Sequence, residues 1–186
     1  MQRIQVMGSS GSGKSTAGMR LAAALGVPHV ELDAINWLPG WVERDVEDFR
    51  TRVRTATEGD AWVVSGNYSR RVSDVIWPRA DTIIWLDLPL RVTVPRQLTR
   101  SWRRWRTQEL LWGTNIESFW PQLAIWDPNS LVGFSFRSRP RQRATLLAAM
   151  TDPAWAHIRF VRLTSQREVD RFVASVAGGV EERERA

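Results

Sequence analysis

A stretch near the N-terminus, Gly8-Ser9-Ser10-Gly11-Ser12-Gly13-Lys14-Ser15-Thr16, has the residue types and the spacing of a phosphate-binding loop. It fits the pattern Gly-x-x-x-x-Gly-Lys-Ser/Thr at every fixed position. Glycines let successive backbone N–H groups point at phosphates, and a following helix adds the positive end of its dipole. We expect Lys14 to reach the β- and γ-phosphates and the Ser15 hydroxyl to hold Mg²⁺. The predicted nucleotide-binding residues of the loop are Ser10, Gly11, Ser12, Gly13, Lys14, Ser15 and Thr16.

The residues on either side of the loop have the pattern that it requires. Residues 3–7 read as a short strand, and residues 15–25 read as a helix closed by Gly26 and Pro28. Lys14 is the only lysine of the chain, and every other basic residue is arginine. A compact ammonium on phosphates is not well replaced by a planar guanidinium. The loop therefore predicts a nucleoside triphosphate site.

Further strand patterns alternate with helix patterns, which predicts an α/β fold with a parallel sheet. The strands are predicted over residues 29–32, 61–64, 81–86 and 157–163, and helices over 44–58, 90–106 and the segments that reach Met150 and follow Ser165. The carboxyl ends of such strands face the ligand crevice. Asp33 ends the second strand. One interpretation is that it meets a substrate group or a magnesium-bound water; the other is that it caps a helix or turn.

Residues 65–71 follow the third strand at the same edge and form a plausible acceptor-binding loop, with Gly66, Asn67 and Arg70 as candidates. Trp37, in the turn Trp37-Leu38-Pro39-Gly40-Trp41, either stacks on a flat substrate or packs the loop onto the core.

The predicted helix over residues 90–106 carries arginines at intervals of three and four residues: Arg96, Arg100, Arg103 and Arg104. Such spacing places most of them along one side, where guanidinium groups match phosphate oxygens. The alternative is a solvated basic face. Leu98, Trp102 and Trp105 are expected to form the apolar stripe of this helix.

Residues 107–137 have weak periodicity and many aromatic side chains, which predicts a partly helical lid or, alternatively, a subunit interface. The 186 residues, 43% of them hydrophobic, suit a single domain over 1–186 that includes this lid. No apolar run approaches the roughly 18 residues of a membrane helix. The absence of cysteine excludes disulfides and thiolate metal sites and is consistent with a cytoplasmic protein. A net charge of +6 favours anionic partners, either phosphates or nucleic acid.

The sequence resembles the adenylate-kinase-like P-loop kinases and, more narrowly, the bacterial DNA topology modulation proteins. The resemblance covers most of the chain and rests on residues 8–16, 32–33, 37–41, 66–69, 82–89, 109–115 and 165–172. It implies a five-stranded parallel sheet in the order 2-3-1-4-5, with helices on its faces and a lid that closes arginines onto the phosphates.

The same resemblance implies roles for particular residues. Arg100 and Arg104 would meet the triphosphate donor, and Arg139 or Arg143 would join on closure. Gly66, Asn67 and Arg70 would face the acceptor. The relatives usually have an aspartate before Gly-Asn-Tyr that orients magnesium-bound water, and here that position is Ser65. Either Asp33 takes over the magnesium role, or metal-assisted transfer is weakened.

The leading hypothesis is Mg-ATP-dependent phosphoryl transfer to a small acceptor such as a nucleoside monophosphate. Lys14, Asp33, Arg100 and Arg104 are its expected catalytic residues, and Ser15 and Asp33 its expected metal-binding residues. The alternatives are an ATPase or nucleotide-dependent switch without a small acceptor, and a regulator that binds nucleic acid. The sequence is compatible with a monomer or a homodimer without a membrane partner.

Overall fold

The computed structural model describes residues 1–124, 126–127 and 130–184, with side chains up to residue 179. Its strands are β1 (Arg3–Gly8), β2 (His29–Glu31), β3 (Trp37–Leu38), β4 (Val42–Glu43), β5 (Trp62–Ser65), β6 (Thr82–Leu86), β7 (Leu110–Leu111), β8 (Asn115–Ile116) and β9 (Arg159–Leu163). Its α-helices are α1 (Lys14–Leu25), α2 (Leu32–Asn36), α3 (Val46–Ala56), α4 (Ser69–Ile76), α5 (Leu90–Thr107), α6 (Leu131–Ala149) and α7 (Gln166–Glu184). No helix within these ranges is long and apolar enough to cross a membrane.

Five parallel strands form the central sheet in the order β2-β5-β1-β6-β9. Numbered along the chain within this sheet, that order is 2-3-1-4-5, so the predicted topology is confirmed. The strand β1 leads directly into the glycine loop and lies in the middle of the sheet, where neighbours on both sides fix its position. The carboxyl ends of β2, β5 and β6 therefore meet around the loop.

Helices cover both faces of the sheet, and each face has its own apolar core. On one face α1 and α7 bury Leu21 and Val173 against Ile4 and Val6. The other face buries large aromatic side chains of α3, α4 and the strands, among them Phe49, Trp62, Trp77 and Trp85. This double coverage explains why the central strands β1, β5 and β6 are buried along nearly their whole length.

The segment predicted as a lid has more regular structure than its sequence pattern indicates. It contains the short hairpin β7–β8, a 3₁₀ turn over Trp120–Leu123 and the first residues of α6, which begins at Leu131. Trp112 at φ 50° and Gly113 at φ 77° form the hairpin turn. The helical content was expected, whereas the hairpin was not, because strands of two residues are too short to show a period.

The predicted apolar stripe of α5 is wrong. Its buried residues are polar: Thr93, Gln97 and Ser101. The side of the helix that carries Trp102 is turned outward, and this side chain is 42% exposed. Trp102 instead contacts Phe119 of the lid segment, with ring centroids 5.1 Å apart.

Candidate functional site

The glycine loop has the backbone geometry of an anion-binding loop. Gly11 and Gly13 adopt left-handed conformations at φ 76° and 86°, and Gly13 is the residue before α1. The N-terminal residues of α1 lack intrahelical acceptors for their N–H groups, as in any helix, so these donors and the helix dipole favour an anion there. A cavity of about 320 Å³ adjoins the loop and is lined by Gly11, Gly13, Thr16 and Arg100, among others.

Lys14 lies among charged groups of both signs. Burial lowers the pKa of Lys14, the carboxylates of Asp33 and Glu31 oppose that effect, and the nearby Arg100 reinforces it. Arg100 donates to the Ser10 hydroxyl at 3.1 Å. Burial, followed by the proximity of Arg104, also lowers the pKa of Arg100. Because the positive charges of Lys14 and Arg100 lie close together and partly buried, this part of the site favours the binding of a polyanion.

Glu31 is the site residue that the sequence analysis missed. It ends β2, and its Oε1 accepts from the Ser15 hydroxyl at 2.6 Å. In the sheet register Glu31 is paired with Ser65, the position at which the resemblance leads one to expect an aspartate. A carboxylate is therefore present beside Ser15, but it comes from β2 and not from the end of β5, where the resemblance leads one to expect it. The signal in the sequence was an acidic residue inside an otherwise apolar predicted strand.

Asp33 lies in the first turn of α2, and the Ser15 hydroxyl donates to Glu31 rather than to Asp33. Its Oδ1 accepts from the Tyr68 hydroxyl at 2.7 Å. Burial and the adjacent Asp33 raise the pKa of Tyr68, so the phenol keeps its proton and remains the donor in this bond. The hydrogen bond fixes the carboxylate of Asp33 beside the phosphate-binding loop.

The predicted acceptor residues differ in where they lie. Asn67 is fully engaged with the glycine loop, because its Oδ1 accepts from Gly8 N at 2.9 Å and its Nδ2 donates to Gly8 O at 2.6 Å. Gly66 packs on Leu32 and leaves no room for a side chain. Arg70 is exposed and forms no ion pair or hydrogen bond with the described part of the chain.

Three tryptophan rings extend from the carboxylates toward the lid. Trp112 of the hairpin turn places its indole Nε1 3.5 Å from Glu31 Oε2. Its ring meets Trp41 edge to face with centroids 5.9 Å apart, and Trp41 meets Trp37 in the same way at 5.6 Å. Trp37 is thus part of a row of aromatic rings that begins beside Glu31, as well as part of the packing of its own loop.

Residues 115–117 connect this aromatic loop to the arginine helix α5. Asn115 Oδ1 accepts from Trp41 N at 2.9 Å and Asn115 Nδ2 donates to Leu38 O at 3.1 Å. Two residues further on, the buried Glu117 accepts from the Ser101 hydroxyl and pairs with Arg104 at 3.2 Å. The predicted phosphate ligand Arg104 therefore has a carboxylate partner in the lid segment.

We expect Asn115→Ala to loosen this connection. The substitution leaves the part-buried donor Trp41 N and acceptor Leu38 O without their partner, which lowers the free energy of unfolding by about 1–3 kcal/mol. Amide hydrogen exchange should rise in residues 37–43 and 110–117 and stay unchanged in α1. Thr114→Ala is the matched control, since its exposed hydroxyl contacts only Asn115. Equal exchange in Asn115→Ala and wild type would contradict the connection.

Arg139 and Arg143, for which the resemblance implies a role on the triphosphate, lie at the carboxyl end of β6 in this structure. Both are paired with Asp87, at 3.2 Å and 3.5 Å. Asp87 directly follows β6, and the sequence analysis gave it no role. Buried ion pairs of this kind cannot be seen in a sequence, because the partners are far apart along the chain.

His29 contacts the position that departs from the expected aspartate. Its Nε2 lies 3.0 Å from the Ser65 hydroxyl, and burial lowers the pKa of the imidazole. This histidine is neutral in the folded protein, whereas in the unfolded chain it has a pKa of about 6.5. The protein therefore takes up a proton when it unfolds below that pH. The contribution of His29 to stability is present above that pKa and is lost as the pH falls below it.

We therefore expect the midpoint of thermal unfolding to fall between pH 7.5 and 5.5 by more in wild type than in His29→Gln. The glutamine keeps a polar contact with Ser65 but does not titrate. Differential scanning calorimetry at both pH values measures the difference. Parallel pH profiles would mean that the charge state of His29 does not affect folding.

Several solved structures share this arrangement of sheet, glycine loop and helices. A shikimate kinase from Bacteroides thetaiotaomicron matches with a TM-score of 0.53 and 18% identity over 97% of this chain and 98% of its own. A shikimate kinase from Acinetobacter baumannii in complex with shikimate matches with a TM-score of 0.53 and 19% identity over 98% and 94%. The chain has the fold of the P-loop kinases. A gluconokinase from Sinorhizobium meliloti also aligns, with a TM-score of 0.50 and 19% identity over 98% and 97%.

The chain is also similar in amino-acid sequence to a bacterial protein, the uncharacterized protein YqaC of Bacillus subtilis (strain 168). The two are 25% identical over 143 residues, and the alignment covers 74% of this chain and 78% of that protein. No family model matches. The narrower resemblance to DNA topology modulation proteins therefore stays a prediction.

Proposed function

We propose that this protein is a Mg-ATP-dependent kinase that transfers a phosphoryl group to a hydroxyl of a small acceptor. The observation that carries the proposal is the pair of carboxylates, Glu31 and Asp33, both close enough to Lys14 to affect its pKa but held by different partners. Glu31 is engaged with the Ser15 hydroxyl, whereas Asp33 is held by a phenol. This arrangement separates a metal-binding carboxylate from one that is available to an acceptor.

The donor set beside the glycine loop fits a magnesium nucleotide. A serine hydroxyl and a carboxylate oxygen are hard ligands of the kind Mg²⁺ takes alongside phosphate oxygens and water. We assign Ser15 and Glu31 to the metal, which replaces Asp33 of the sequence-based prediction. Bound Mg-ATP supplies the transferable phosphoryl group and the charge of the metal ion.

The residues of the chain then do three things. Lys14 and Arg100 neutralise negative charge that develops on the phosphoryl oxygens, and their positions are fixed before the reaction. Asp33 accepts the proton of the acceptor hydroxyl as that oxygen attacks. Trp112 and Trp41 shield the site from water on the acceptor side, which limits hydrolysis.

A hydroxyl acceptor fits these groups better than the nucleoside monophosphate first considered. A phosphate acceptor needs no base and would be repelled by a second carboxylate. Arg70 is the candidate cation of the acceptor loop, and it is exposed to solvent. The solved structures named above include kinases of shikimate and gluconate, which are consistent with a hydroxylated acceptor.

We propose residues 107–137 as the lid of a single domain. Its hairpin contacts the turn of residues 37–41 through Trp41, and its Glu117 pairs with Arg104, so that closure of the acceptor side and placement of α5 are linked. Closing segments of this kind exclude water and complete the catalytic set.

The proposal is tested by phosphoryl transfer from Mg-ATP across a panel of hydroxy acids, sugars, polyols, nucleosides and nucleoside monophosphates. Lys14→Ala is the blank, and circular dichroism shows that it is folded. A phosphorylated product with a hydroxylated acceptor, absent from the blank, is the expected result. Hydrolysis that no acceptor stimulates would overturn the proposal in favour of an ATPase or switch. A product from a nucleoside monophosphate alone would retain the kinase but reject the role of Asp33.

A further inference from the structure

A second cluster of charged residues lies at the carboxyl end of β6. The side chain of Asp87 is 3% exposed and is paired with arginines from two elements. Arg162 of β9 donates to Asp87 Oδ2 through both Nε, at 3.0 Å, and a terminal nitrogen, at 2.6 Å. Arg139 and Arg143 of α6 approach the same carboxylate from the other side, at 3.2 Å and 3.5 Å.

One arginine is enough to balance one carboxylate. Arg162 makes the shortest contacts, and its guanidinium also stacks on Trp85 at 4.8 Å from the ring centroid. The positive charges of Arg139 and Arg143 are then in excess. In the described ranges, no other carboxylate comes within ion-pair distance of either. Each guanidinium carries five N–H donors, of which Asp87 and Leu88 O engage only a part.

The two excess arginines line a cavity of about 560 Å³ between the start of α5 and α6. The rest of its wall is apolar and consists of Leu90, Phe136, Pro140, Ala144 and Leu147. Phe136 and Leu147 are 44% and 42% exposed, although both are large and hydrophobic. The cavity shares no lining residue with the one at the glycine loop.

We propose that this cavity binds an amphipathic anion: a carboxylate or phosphate monoester on the two arginines, with an apolar body against Phe136 and Leu147. Guanidinium groups form paired hydrogen bonds with either headgroup, and the apolar wall would leave water on binding. The site is separate from the nucleotide site, and the proposal does not depend on kinase activity. The competing use of Arg139 and Arg143 is the one implied by the resemblance, in which both turn toward a triphosphate on closure.

The test is calorimetric titration of the whole chain, saturated with Mg-ADP, with octanoate and with octyl phosphate. Octanol and octyltrimethylammonium are the neutral and cationic comparisons. We expect saturable binding of at least one anion and none of the comparisons. The anion that binds more tightly identifies the headgroup.

Arg143→Gln should weaken that binding about tenfold or more, because a charge-assisted hydrogen bond is lost. Leu147→Ser removes apolar wall at an exposed position and should also weaken it, which provides a second variant if Arg143→Gln is unstable. The control is Arg141→Gln, an exposed arginine on the same helix that does not line the cavity.

Three results would overturn the proposal. The first is equal binding of octanol and the anions, and the second is equal weakening by Arg141→Gln and Arg143→Gln. The third is a loss of ATP affinity in Arg143→Gln without any effect on the anions, which would assign the arginine to the nucleotide instead.

Discussion

Asp33→Asn is expected to slow phosphoryl transfer to a hydroxyl acceptor about 10²- to 10⁴-fold, the usual contribution of a general base. The asparagine has nearly the same shape and still accepts a hydrogen bond from Tyr68, so the fold should be retained. Because Ser15 is engaged with Glu31 rather than with Asp33, the affinity for Mg-ATP should change little. Steady-state kinetics with the acceptor found in the panel, together with calorimetric titration of ATP, separate the two effects.

Two further variants test whether the loss of activity comes from the carboxylate of Asp33 itself. Tyr68→Phe removes the hydrogen bond but keeps the carboxylate, so it should cost far less activity than Asp33→Asn. Glu31→Gln should instead raise the magnesium concentration needed for half-maximal rate, since it changes a proposed metal ligand. If Asp33→Asn were as active as wild type, the acceptor would need no base, and a phosphate acceptor would be favoured over a hydroxyl.

The parts of the site that the sequence predicted are those that one contiguous segment specifies. The glycine loop has its own backbone requirements, and its pattern also fixes the strand before it and the helix after it. The order of the sheet followed from the resemblance and is confirmed. Asp33 was correctly expected at the edge of the sheet, because it comes directly after a strand pattern.

The parts that could not be predicted depend on contacts between distant segments. The Glu31 carboxylate meets Ser15 of the helix that begins at Lys14, and the Asn67 amide bonds to Gly8, 59 residues earlier in the chain. The helix α5 turns its polar side inward, where α6 and the lid segment offer polar partners: Ser135 for Gln97 and Glu117 for Ser101. Periodicity identifies a helix face, but it does not identify what lies against it.

Gly66→Ala is the substitution expected to have the largest effect on stability. Gly66 has φ +146°, a conformation that favours glycine, and a Cβ atom there would lie 2.7 Å from Leu32 Cβ. Leu32 is fully buried in the core cluster on this face of the sheet, so its side chain cannot turn outward to make room. Backbone strain of about 1–3 kcal/mol and overpacking of about 1–3 kcal/mol should together lower the free energy of unfolding by about 2–6 kcal/mol.

The matched control is Gly113→Ala, since Gly113 also has a positive φ, +77°, but has no atom within 4 Å of an added Cβ. Gly113→Ala should lower the free energy of unfolding only by the backbone strain, about 1–2 kcal/mol. Urea unfolding of the two variants therefore separates strain from overpacking. Equal losses would mean that the contact with Leu32 relaxes freely.

The position of Leu32 gives the same substitution a consequence for the site. Leu32 lies between Glu31 and Asp33, so a shift of its backbone moves both carboxylates relative to Lys14. We expect any Gly66→Ala protein that folds to bind Mg-ATP more weakly and to transfer phosphate more slowly, unlike Asp33→Asn, which should affect transfer alone. Wild-type kinetics in a destabilised Gly66→Ala protein would show that the carboxylates are positioned independently of this packing contact.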